Sequence, residues 1–110
     1  MMLNLLENAL DLMAFRHRII SSNIAHVNTP QHIRRDVPFF QLMSRIMDTG
    51  AAQREVWLDT ESPFRPDGNN ITLERELAAL SENSVLFQAA AQLTSRQLGI
   101  LRLAVTEGRR

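Results

Sequence analysis

Apolar positions near the start of the chain alternate by three and four: Leu3, Leu6, Leu10, Met13, His17, Ile20, Ile24 and Val27. Such spacing keeps returning to one helix face, and it predicts a helix over 3–27 with one polar break at His17. A second apolar row, Leu5, Ala9, Leu12 and Ile19, runs beside the first. The pattern stops at Asn28, Thr29 and Pro30. Asn tolerates the left-handed conformation past a helix end, and Pro cannot continue the helix. The alternation resumes over 73–107 through Leu73, Leu77, Leu80, Ser84, Phe87, Ala91, Thr94, Leu98, Leu101 and Val105. Its flanking row is Ala79, Leu86, Ala90, Leu93, Ile100 and Ala104. Thr72 suits the N-cap, Glu74 and Glu76 suit the positive helix start, and Gly108 suits the stop.

The segment between these helices is less regular. Residues 31–37 read as a basic, irregular connection. Residues 39–48 fit a short helix with Phe39, Leu42, Met43 and Ile46 on one side. Residues 55–58 are strand-like but isolated. Two Pro and an Asp-Gly pair mark 62–70 as a turn. A flexible linker is expected over 49–70. The predicted fold is all-α and a single domain, 1–110. Two long terminal helices pair as a coiled-coil-like hairpin, with a short helix and an irregular linker between them.

Each long helix carries more apolar surface than one partner can cover. No charge stands between Asn83 and Ser95, where a lone hairpin should present a charged face to water. One expectation follows: the chain is incompletely folded alone, and neighbouring copies supply the missing burial. The other reading is a monomeric hairpin whose middle segment covers the second row with Phe39, Phe40, Leu42 and Ile46.

Composition narrows the function. Formal net charge is zero, so nucleic acid is not an obvious partner. There is no Cys, hence no disulfide and no thiolate metal site. All twelve basic residues are Arg, a side chain enriched at protein interfaces. Arg34-Arg35 reads as a solvated pair or an acidic partner's contact. The histidines His17, His26 and His32 have no ligand spacing, and no phosphate loop or nucleophile elbow occurs. Asp67-Gly68-Asn69-Asn70 lacks the closing acid of a Ca²⁺ loop and reads as a turn. No catalytic residue, cofactor, metal or small-molecule substrate is expected, and the chain does not read as an enzyme. The start carries Glu7 and Asp11 in place of a basic region, so no cleavable signal peptide is expected.

Two stretches carry a resemblance. Ser22, Asn23, Ile24, Ala25, Thr29 and Pro30 match a signature near the N-terminus of flagellar rod, hook and hook-associated proteins, roughly S-x-N-I-A-N-x-x-T-P-G-Y. His26 stands in place of Asn, and Gln31-His32 in place of Gly-Tyr. Asp67, Gly68, Asn69 and Asn70, with the following Ile71 to Ala78, are similar to the start of the C-terminal helix in proximal-rod subunits. The chain thus resembles the flagellar axial family, and its short middle favours the proximal rod. The resemblance implies a structural subunit needed for motility. Such a subunit polymerises through its terminal helices and links the membrane ring and export gate to the distal rod. Its implied partners are itself, other rod subunits and the ring and export-gate proteins. Its implied place is the periplasmic rod of the basal body, reached by flagellar export without a cleaved signal. Leu6, Leu10, Met13, Ile20 and Ile24 are expected to pack against Leu80, Phe87, Leu98 and Leu101. Asn23, Asn28 and Pro30 are expected to fix the chain where it leaves the first helix. The alternatives are a second proximal-rod subunit and a membrane-surface amphipathic helical protein; Glu7 and Asp11 argue against the latter.

Overall fold

The computed structural model describes residues 2–51 and 53–108; Ala52, inside the expected linker, lies outside them. Helix α1 spans Met2–Ala25, strand β1 Arg35–Asp36, helix α2 Phe39–Thr49, strand β2 Trp57–Leu58 and helix α3 Leu73–Gly108. The fold is all-α in character, with two long terminal helices as expected. They run antiparallel: Asn23 meets Glu76 near one end, and Met2 and Leu3 share a groove with Leu101 at the other. At about 1.5 Å per residue α3 is roughly 54 Å long against roughly 36 Å for α1. The molecule measures 70 × 24 × 14 Å.

The second row of α1 is covered from within the chain. Phe39, Leu42 and Ile46 recur at helical spacing on α2 and are buried with Ala9, Leu12, Met13, Val37 and Ala90. Leu5, Ile19, Met43 and Leu86 pack around them. Phe40 takes no part; it faces outward at 73% exposure. Gly50 ends α2 with φ +73°, and its N–H donates to the Ile46 carbonyl at 2.8 Å. Glycine carries no Cβ to oppose that left-handed stop.

The isolated strand is corrected. Trp57 and Leu58 pair antiparallel with Asp36 and Arg35, so part of the connection 31–37 is strand as well. The alternation rule found the segment but not its partner. The Arg35 backbone is extended because the Asn23 side chain clamps both its N–H and its C=O. Segment 59–70 is also pinned. Asn69 Nδ2 donates to the carbonyls of His26, Val27 and Thr29, and Asn70 Oδ1 accepts from Arg34 N–H at 2.6 Å.

Past α1 the chain turns through Gln31, which adopts φ +61°. This is the position where the related signature has Gly. A side chain in that region costs roughly 1–2 kcal/mol. Gly68, at φ +82°, lies against it: a Cβ there would sit 3.2 Å from Gln31 Cα. Gln31→Gly is therefore expected to raise stability by about 0.5–1 kcal/mol, and Gly68→Ala to lower it by more than that. Urea midpoints of the two variants check both signs.

Candidate functional site

The closed end of the hairpin is built around a buried cation. Arg34 is 4% exposed and Glu76 is fully buried. Arg34 Nε donates to Glu76 Oε1, and its guanidinium reaches Asp59 at 3.2 Å and Asp36 at 3.6 Å. Glu76 Oε2 accepts from Asn23 Nδ2 at 3.2 Å. Burial opposes the charge on Arg34, but its hydrogen bond and attraction to Glu76, with Asp36 and Asp59, raise the guanidinium pKa further. Burial also works against the Asp59 carboxylate. Bonds from the Ser62 hydroxyl and N–H, the Glu61 N–H and Arg34 outweigh it and hold the pKa at about 2. The solvated reading of Arg34 is thereby overturned; only Arg35 is exposed. Glu76 also does more than complement the start of α3.

The two signatures, far apart in sequence, meet at this end. Asn23 belongs to the first and Asn69 and Asn70 to the second. Gln31 N–H donates to the Asp67 carbonyl at 2.8 Å. Arg65 donates to the carbonyls of Val27 and Ile71. Ser22 and Ile24 contribute carbonyls to the turns that finish α1. Of the three residues expected to fix the exit, Asn23 holds the Arg35 backbone, while Asn28 and Pro30 are exposed. Asn69 holds the exit in their place. Repetition of Asn in both signatures was the available signal.

The junction sets how α3 is rotated. Glu76, Asn83 and Ala90, spaced by seven, are its buried residues. Asn83 Nδ2 donates to the Met13 carbonyl at 2.9 Å. Leu6, Met13 and Ile20 of the expected seam are buried, and Leu10, Ile24 and Leu80 are half-buried. Phe87, Leu98 and Leu101 are not packed under α1; they are 40%, 43% and 51% exposed. Counting apolar residues alone placed the contact row one helical position aside, because the contact row is largely polar or small. Of the apolar seam of α3, Leu73, Leu77 and Val105 are exposed as well, while Leu80, Ala91 and Thr94 are half-buried. Val85, Leu93, Ile100 and Leu103 form a second exposed stripe. Between α1 and α3 runs a groove of about 490 Å³ bordered by Met13, Ala14, His17, Arg18, Asn83, Ser84, Phe87 and Gln88.

Among the described residues, no group of His, Asp or Glu is placed to hold a metal ion. No helix there is long and apolar enough to cross a membrane. No family model matches the chain. Curated relatives do. It is 27% identical to the flagellar basal body rod protein FlgB of Bacillus subtilis, over 94% of this chain and 92% of that one. It is 29% identical to the protein of the same name in Yersinia enterocolitica, over 84% of each. For the Escherichia coli protein of that name the figures are 25% identity, 84% of this chain and 83% of that one. The resemblance carried by two short signatures thus extends over most of the chain, to structural rod proteins rather than enzymes.

Removing Glu76 leaves a buried guanidinium short of its nearest anion. Glu76→Ala is expected to cost about 3–5 kcal/mol in urea unfolding. The Asp59 contribution is complete above its ordinary pKa of 3.8 and fades as pH falls toward about 2. Asp59→Asn should therefore flatten the acid limb of a thermal-stability profile below pH 3.8. An unchanged limb would assign acid unfolding to other carboxylates.

Proposed function

Because the chain is similar over most of its length to flagellar basal body rod proteins, we propose that it is a structural subunit of that rod and enters it through α1 and α3. The observation that carries this reading is a hairpin locked at one end whose longer helix keeps two apolar stripes exposed. Burying each large side chain of those stripes would contribute about 1.5–3 kcal/mol. Leu73, Leu77, Phe87, Leu98, Leu101 and Val105 make the first contact face, and Val85, Leu93, Ile100 and Leu103 the second. The expected partners are further copies of the chain, other rod subunits, and the ring and export-gate proteins at the rod base. The charge-free stretch 83–95 supports close helix packing, since no ion there has to be stripped of water. Most of the exposed large apolar side chains stand on α3, since α2 already covers the second row of α1. The outer half of α3 therefore gains most of its order on assembly.

Two substitutions in the expected seams separate folding from assembly. Ile20 is 4% exposed, so Ile20→Asp is expected to unfold the hairpin. Phe87 is 40% exposed, so Phe87→Asp should leave the circular dichroism of the dilute chain as it is. In cells carrying Phe87→Asp as the sole copy, swimming should be lost and purified basal bodies should show rings without rod or hook. Normal swimming with intact rods would refute the assignment of this stripe to assembly.

A further inference from the structure

We propose that His26 and His32 form an acid-released clasp on the turn between the two signatures, closed while both imidazoles are neutral and opened by their protonation. The rings stack with centroids 4.3 Å apart and an interplanar angle of 16°. His26 stands just past α1 and His32 just before β1, so the stack closes the loop that contains Gln31. The clasp stands on this geometry alone and is independent of the rod assignment. The related signature has Asn and Tyr at the two positions, so the pair is a feature of this chain.

Three observations make the stack acid-sensitive. Two imidazolium rings at this separation repel. His32 Nε2 is buried without a hydrogen-bond partner. A protonated ring would have no acceptor for its Nε2–H there. The neighbouring charges add to the effect. Arg35 on β1 acts on His32. From the segment before α3, Arg65 donates to the Val27 carbonyl, and the Asp67 carboxylate lies 3.6 Å from Arg65 Nε. Desolvation first, then His26 and Arg35, hold the His32 pKa below its ordinary 6.5. The sign follows: the stack's contribution is complete above pH 6.5 and is lost as pH falls through the lower folded value. Asp59, at about 2, titrates well outside this window.

Opening the clasp loosens a particular joint. The His26 carbonyl is one of three held by Asn69, and the His26 Nδ1 lies 3.2 Å from Thr29 Oγ1. Strain at His26 therefore reaches the residues that lead into α3, while the α1–α2 core lies elsewhere. The effect is a hairpin that keeps its core in mild acid but frees its closed end.

The test is an NMR titration of the full chain from pH 7.5 to 5, following imidazole C–H shifts and amide hydrogen exchange. His32 should titrate below 6.5. After correction for intrinsic chemistry, exchange at 26–32 and 67–72 should rise by about tenfold for each unit of pKa depression, while amides of α2 stay protected. The double variant His26→Asn, His32→Tyr should lose this pH dependence, and His17→Gln should keep it. A His32 pKa at or above 6.5, or a double variant with unchanged pH dependence, would overturn the clasp. Should the double variant not fold, the wild-type titration decides alone.

Discussion

A single buried cation determines how the hairpin is assembled. Arg34 arrives from the connection, Glu76 from the first turn of α3 and Asp59 from the segment after β2. Three stretches of chain must converge to complete the cluster, and a charge buried there without its partners is costly. Asn23 joins α1 to the same cluster by contacting Glu76 and both polar groups of the Arg35 backbone. The cluster thus acts as a register pin. Apolar contacts alone would let α3 rotate about its axis, since it is greasy on several sides. The pin admits one rotation, with Glu76, Asn83 and Ala90 inward.

This explains which features were legible in the sequence. Helix positions follow from periodicity and were readable to within about two residues at their ends, the usual uncertainty of such boundaries. The short helix over 39–48 was readable for the same reason. The facing of α3 was not. Periodicity ranks faces by apolar content, and the inward face here contains a Glu and an Asn whose partners lie far away in sequence. The pairing of β1 with β2 was hidden likewise, because it depends on a side-chain clamp from α1. Charged Arg34 in a polar segment gives no local hint that it is buried.

The candidate site was legible in a different way. The two signatures were visible as short patterns at opposite ends of the chain, and their residues prove to be the two halves of one joint. Asn is suited to that task because its amide can donate and accept at once. Asn69 uses both, gripping three carbonyls while its own oxygen receives the Ile71 N–H. Asn28 and Pro30, although part of the same pattern, remain at the surface. Gln31 shows that the turn tolerates a departure from Gly, with the left-handed backbone retained under a side chain.

On the proposed rod role, the exposed apolar side chains of α3 also bear on the free chain. A neutral molecule with two greasy stripes has little electrostatic repulsion to keep copies apart. Its solubility is therefore limited by concentration, and the tolerable pool of free chains is small. On that role, synthesis has to be matched to consumption, because surplus copies would meet through the same stripes in the wrong place. Supply, as much as shape, then governs how such a part is used.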